Sequence, residues 1–199
     1  LYNDDTVMRI LDLMGKRGRK RALEEGADPV GRAVFTSGVV STAESRRIAL
    51  FFTGPRHAGE HLQSLLASRA ADLAAPIQMC DALSRNLPGE LATIVANCLA
   101  HGRRRFVDVA ENFPEACRHV LETLRVVYEN DAVAHRDGMS PDDRLAYHRE
   151  HSAPVMDEIE AWMRAQFDEK RIVPNSGMGG AINYMLKRWN KLALFLRVP

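Results

Sequence analysis

Cysteine, aromatic residues, long apolar runs and any excess of charge are all scarce in this sequence. Its three cysteines, Cys80, Cys98 and Cys117, are too few and odd in number for a disulfide framework. A reducing cytoplasm is the setting they fit. No apolar run approaches the ~20 residues of a membrane span. The longest, around Ile48 to Phe52, has the length of a strand, so no membrane partner is expected. A signal-peptide pattern is missing too. Lys plus Arg number 27 against 26 Asp plus Glu, a net charge of +1, so bulk charge does not mark a polyanion binder. No Gly-x-Ser-x-Gly elbow supports a serine hydrolase. The run Gly177-Met178-Gly179-Gly180 follows no strand and precedes no Lys-Ser/Thr pair, which removes a phosphate loop; it reads as a turn joining helices.

What is present is ordinary for a globular protein. Hydrophobic residues make up 46 % of the 199, enough for one or two domains with a core. The first half reads as mixed α/β. Leu1 to Leu11 is a short strand carrying two acids. Ala33 to Ser41 and Arg47 to Thr53 are rich in β-branched and aromatic residues and form a hairpin across Thr42 to Arg46. His57 to Arg69 has helical spacing at Ala58, Leu62, Leu65 and Leu66. Pro76 to Asp81 is a strand ending in an acid, and Leu91 to Leu99 is a further strand. From about Gly102 the pattern is helical. Val120, Leu121, Leu124, Val127 and Tyr128 mark one face, and Val155, Met156, Ile159, Trp162, Met163 and Phe167 another. Ser140-Pro141-Asp142-Asp143 is a helix start, with Ser as N-cap. Asn175 to Gly180 is a turn, and Ala181, Met185, Trp189 and Leu192 line a last helix. Leu1 in place of Met, and an apolar run just before Pro199, read as cuts through a longer chain.

Two strands carry an aspartate followed by a small residue, in Asn3-Asp4-Asp5-Thr6 and Met79-Cys80-Asp81-Ala82. On neighbouring strands these carboxylates can share a divalent cation, because Mg²⁺ takes hard oxygen ligands from a few carboxylates, water and phosphate. The alternative is a set of surface aspartates at strand ends. Adjacent strand residues point to opposite faces, so only one of Asp4 and Asp5 faces such a site. Cys98-Leu99-Ala100-His101 has the spacing of half a zinc site, but no second pair supplies four ligands, so no zinc is expected. Basic residues concentrate at Lys16, Arg17, Arg19, Lys20 and Arg21 and at Arg103, Arg104 and Arg105. The second cluster is expected at a helix start, where phosphate is attracted. Each cluster reads either as a DNA-backbone contact or as a solvated charged surface.

The runs Ile77 to Asn86 and Asn97 to Phe106, with Asn3 to Thr6 and Arg47 to Gly54, resemble the insertion-sequence transposases of the IS66 family. Cys98-Leu99-Ala100-His101-Gly102-Arg103-Arg104-Arg105-Phe106 is the most specific part, and the likeness extends over essentially the whole chain. The resemblance implies a DDE-type DNA transposase with an RNase H-like fold. Asp4 matches its first acid and Asp81 its second; the third, a glutamate, is expected beyond Pro199. It implies an incomplete RNase H-like mixed sheet over residues 1–106 and an all-helical insertion over 107–199. In that sheet an antiparallel meander holds the first three strands, and the strands ending near Asp81 and His101 lie parallel to the first. It further implies Mg²⁺ or Mn²⁺ held by Asp4 and Asp81, and DNA, as transposon ends and target, as partner. A homo-oligomer in the intact transpososome and a nucleoid-associated place in the bacterial cytoplasm follow from it. The reaction is hydrolysis at transposon ends and then strand transfer, with this stretch inactive by itself. The rival reading is a catalytically dead transposase remnant that only binds DNA or protein.

Overall fold

The computed structural model describes residues 1–9, 33–43, 46–70 and 72–199. These form two compact units, Leu1–Val95 and Ala96–Pro199. Among the described residues no helix is long and apolar enough to cross a membrane. The basic residues Lys16, Arg17, Arg19, Lys20 and Arg21 lie outside the described residues.

The first unit is built on β1 (Tyr2–Arg9), β2 (Ala33–Ala43), β3 (Arg46–Gly54), α1 (Ala58–Ala67) and β4 (Ile77–Cys80). A 3-10 turn at Ser84–Asn86 follows, and β5 (Ile94–Asn97) runs on into the second unit. The strand order is β3-β2-β1-β4-β5. β1 pairs antiparallel with β2 from Tyr2 opposite Val40 to Arg9 opposite Ala33, and β2 pairs antiparallel with β3. β4 joins β1 in parallel at Tyr2–Met79. The expected meander is thus present, and of the two strands expected parallel to the first, the one that leads to Asp81 is β4, in a mixed sheet. Alternation assigns the faces. Asn3, Ser37 and Val39 are buried, whereas Tyr2, Asp4 and Thr6 are exposed. The buried face packs on α1, whose Ala58 and Leu62 are fully enclosed, and Phe52 of β3 stacks on His61 of α1 at 4.3 Å.

The second unit is helical: α2 (Leu99–Val107), α3 (Pro114–Arg136), α4 (Pro141–His151), α5 (Ala153–Asp168), α6 (Gly177–Leu186) and α7 (Trp189–Leu192), closed by a 3-10 turn at Leu194–Leu196. Its core joins Phe106 of α2, Val120, Leu124 and Val127 of α3, Met156, Ile159 and Met163 of α5 and Met178, Ile182 and Met185 of α6. Burying each large side chain contributes about 1.5–3 kcal/mol against the chain's ordering entropy. The Ser140 start of α4 is as expected: its hydroxyl accepts from the Asp143 amide at 3.2 Å and donates to the Asp143 carboxylate at 2.6 Å.

Four local expectations are corrected. Gly177 to Gly180 is not a turn but the first turn of α6, because Ser176 caps it by accepting from the Gly179 amide at 3.0 Å. The strand foreseen over Leu91 to Leu99 is only Ile94–Asn97, since Cys98 is already the N-cap of α2. Arg103, Arg104 and Arg105 therefore do not open a helix. Arg104 and Arg105 occupy the last turn of α2, where positive charge complements the helix dipole, so the helix-start reason for phosphate binding there falls away. The last helix also divides in two at Lys187 and Arg188, although Ala181, Met185, Trp189 and Leu192 all reach the core.

Candidate functional site

The two neighbouring acids of β1 go to opposite faces. Asp5 turns inward, with 2 % of its side chain exposed. Its Oδ1 accepts from the Ser37 hydroxyl at 2.6 Å and from the Ala58 amide at 2.8 Å. Its Oδ2 lies 3.1 Å from His57 Nδ1. A carboxylate bonded to the first amide of α1 favours the helix dipole as well as the orphan N–H. Asp5 therefore ties β1 to β2 and to the start of α1. Asp4 is exposed on the other face, and its Oδ1 accepts from the Asp5 amide at 2.9 Å.

Asp81 follows β4 immediately. Counted from the Tyr2–Met79 pair, Asp4 and Asp81 each stand two residues further along parallel neighbours. The half-buried Asp81 accepts on Oδ1 from the Leu83 amide at 3.0 Å and from Asn86 Nδ2 at 2.5 Å. Asn86 is itself held from β1 and β4. Its backbone carbonyl accepts from Asn3 Nδ2 at 2.8 Å and Gln78 Nε2 at 2.7 Å. Gln78 Nε2 also donates to Asn3 Oδ1 at 2.8 Å, and Thr93 donates to Gln78 Oε1 at 2.8 Å. Asn3, Gln78 and Asn86 are all buried. Asn86 Oδ1 is buried without a hydrogen-bond partner. Such an orphan costs stability, and the amide retains its orientation through the bond from Nδ2 to Asp81. Gly59 is needed beneath this loop: a Cβ there would stand 2.3 Å from the Leu87 carbonyl oxygen and 2.4 Å from that of Arg85.

The donor chemistry suits a hard cation. Asp4 and Asp81 each commit Oδ1 to protein donors, and among the described residues Oδ2 of each has no partner. Among the described residues there is no cluster of three or more His, Cys, Asp or Glu side chains able to hold a metal. Cys98 is partly exposed, and its neighbour His101 keeps Nδ1 buried without a hydrogen-bond partner. Arg103, Arg104 and Arg105 are exposed on α2.

Sequence reasoning passed over Asn3, Gln78 and Asn86 as functional residues, and Ser37 and His57 with them. For Asn3, Ser37 and Gln78 the available signal was a polar residue standing where strand alternation calls for an apolar one; Asn86 and His57 lie outside the strands.

The sequence model of the Transposase IS66 family matches residues 1–199. Among curated proteins, the uncharacterized protein y4hP of Sinorhizobium fredii is 28 % identical over 167 residues, covering 75 % of this chain and 29 % of that protein. The uncharacterized protein y4jD of the same organism is 37 % identical over 105 residues, 51 % of this chain and 19 % of its own length. The chain thus spans less than a third of the length of these relatives. No solved structure matches. With the family match running from the first residue to the last, the chain belongs to the IS66 family of transposases.

Proposed function

We propose that this chain supplies two of the three metal-binding carboxylates of a DNA transposase, Asp4 and Asp81, on an RNase H-like sheet. The observation that carries the reading is the parallel pairing of β1 with β4, which stations Asp4 and Asp81 equally far along neighbouring strands at the centre of the sheet. The strand order and the β1-β2-β3 meander agree with the fold that the family resemblance implies. The third acid belongs to sequence outside these 199 residues, and the helical unit is the insertion between the second and third acids.

The cation is Mg²⁺ or Mn²⁺, and the substrate is DNA at transposon ends. When bound, such ions activate a water and stabilise the leaving oxygen in phosphodiester cleavage. The protein's own part is positioning. Asp4 and Asp81 would hold the ion through carboxylate oxygens that have no partner among the described residues, Asn86 fixes the Asp81 carboxylate, and the Asp5 cluster fixes the strand that carries Asp4.

The test is nicking of labelled transposon-end DNA by the full-length protein with Mg²⁺ or Mn²⁺. Asp4→Asn and Asp81→Asn abolish nicking and leave DNA binding in place. The 199-residue chain alone does not cut, because a site missing one ligand misplaces its nucleophile, and about 1 Å of misplacement costs on the order of a hundredfold. Undiminished cutting by the Asp81→Asn protein removes the assignment.

A further inference from the structure

The helical unit contains a cavity of about 460 Å³ between α2 and α6. Arg105 reaches it from α2, and Lys187 and Arg188 from the end of α6. The guanidiniums of Arg105 and Arg188 both lie over the ring of Tyr184, at 4.9 and 4.3 Å from its centroid. Arg188 is held further by its Nη1 donating to the Tyr184 carbonyl at 3.4 Å. Two like charges on one ring repel each other, and the ring's quadrupole compensates only in part. An anion between them relieves that repulsion.

No carboxylate does so among the described residues. The single acid lining the cavity, Asp108, stands 3.9 Å from Arg104, and among the described residues none of Arg105, Lys187 and Arg188 has an ion-pair partner. On α3, by contrast, arginines do find acids, as Arg118 does with Glu115 at 3.5 Å and Arg125 with Glu129 at 3.4 Å. The floor of the cavity is open in shape. Gly177, Gly180 and Ala181 share one face of α6 with Tyr184 at helical spacing, and a Cβ on Gly180 would meet nothing within 4 Å. Gly179, one position away, serves the fold instead, since a Cβ there would stand 2.3 Å from the Val173 carbonyl oxygen. The glycine run thus supplies a tight helix start at Gly179 and open space over Gly180.

We propose that this cavity binds the sugar-phosphate backbone of DNA, with Arg105, Lys187 and Arg188 contacting phosphates and Tyr184 positioning the two guanidiniums. The proposal rests on the transposase reading and deepens it by adding α6 to the DNA-contacting surface. Phosphate is the ligand whose charge and multiple acceptor oxygens answer fixed guanidiniums that no carboxylate pairs, and continuous DNA supplies it at regular spacing.

The experiment is fluorescence anisotropy of a labelled random-sequence duplex with the 199-residue chain, across a salt series from about 50 to 200 mM. Each phosphate contact contributes about 0.9 to the slope of log affinity against log salt. The variant Arg105→Gln/Lys187→Gln/Arg188→Gln is expected to lower that slope by about 2 to 3 and weaken binding about a hundredfold near 0.1 M salt. Tyr184→Leu keeps every charge and is expected to weaken binding severalfold with the slope preserved, a pattern that general loss of structure does not give. Arg118→Gln/Arg125→Gln is the control and is expected to change the slope little. Circular dichroism establishes that each variant is folded. An unchanged slope in the triple variant overturns the proposal, as does an equal loss in the control. Tighter binding of a single-stranded RNA of the same length overturns the assignment to DNA. Nicking by the full-length Asp81→Asn protein tests the carboxylate chemistry separately, so either reading can fail while the other stands.

Discussion

Replacing Asp5 with alanine and Asp4 with alanine are nominally the same change at adjacent positions, and the structure assigns them opposite consequences. Asp5→Ala removes a carboxylate with 2 % of its side chain exposed, leaving the Ser37 hydroxyl, the His57 ring nitrogen and the Ala58 amide without their acceptor. Leaving the buried Ser37 and Ala58 donors without an acceptor costs about 1–3 kcal/mol each, roughly 3–5 kcal/mol together. At about 2–4 °C per kcal/mol for a chain of this size, the midpoint should fall by roughly 6 to 20 °C. Asp5→Asn should fall between the two, because one amide oxygen can still accept from Ser37 and Ala58. Asp4→Ala deletes an exposed side chain whose described bond is to the next residue's amide, so stability should stay within about 0.5 kcal/mol. Activity should run the other way. In the full-length protein Asp4→Ala should show no metal-dependent nicking, while Asp5→Asn should retain activity below its midpoint. Scanning calorimetry and the nicking assay together decide the matter. Equal thermal losses for the two alanine variants would refute the burial argument, and nicking by Asp4→Ala would refute the choice of Asp4 as ligand.

Asn86→Ala removes the 2.5 Å bond to Asp81 but also the unpartnered Oδ1. The two effects offset, so stability should change by only about 1 kcal/mol while nicking falls on the order of a hundredfold; unchanged nicking would show that Asn86 does not position Asp81. Gly59→Ala should cost about 3 kcal/mol, the upper end for overpacking, because the Leu87 and Arg85 carbonyls at 2.3 and 2.4 Å are backbone and yield poorly; urea titration measures it, and a neutral result would mean the loop after Asp81 is loosely packed. His148, with Nδ1 2.9 Å from the Ser152 hydroxyl, has its pKa lowered from the usual 6.5 by burial, against the pull of Asp131 at 3.4 Å. The unfolded chain then binds the proton more readily, so stability contributed by neutral His148 is complete above pH 6.5 and is lost as pH falls below it. Thermal melts should fall less between pH 7.5 and 5.5 for His148→Gln than for the natural protein, and identical pH dependence would remove the assignment.

The sheet was legible because β-branched and aromatic residues concentrate in its strands, and because a short polar link between two such runs leaves little but a hairpin. Ser140-Pro141 was legible because a capped helix start uses local chemistry alone. What escaped reading depends on residues far apart in sequence. Strand alternation says that Asp4 and Asp5 face opposite ways, but only the packing of α1 says which face is covered. Asn3 and Asn86 are separated by 83 positions and joined by one hydrogen bond, and no periodicity announces such a pair. Gly177 to Gly180 was misread because glycine usually breaks helices. Here the Ser176 cap and the carbonyl of Val173 against Gly179 outweigh that preference. Arg103 to Arg105 were misplaced by about one helical turn, an ordinary error for helix boundaries that matters here because it exchanges one end of the dipole for the other.

The net charge of +1 concealed the distribution that bears on nucleic acid. In the helical unit most of the neutralisation is local: Arg104 with Asp108 at the end of α2, and Arg118 with Glu115, Arg125 with Glu129 and Arg164 with Glu160 within single helices, are pairs three or four residues apart. Exposed pairs of this kind contribute about 0.3–0.5 kcal/mol each, but they cancel the field that would otherwise attract a phosphate backbone. Arg105, Lys187 and Arg188 lie outside this scheme: they meet across two helices where the one lining acid, Asp108, stands against Arg104, and none of the three has an ion-pair partner among the described residues. Their two guanidiniums are held on an aromatic ring instead of a carboxylate, which orients them while leaving their charge available. A near-neutral composition is therefore compatible with a focused cationic site, and the pairing of each arginine, more than the count of arginines, decides where a polyanion can bind.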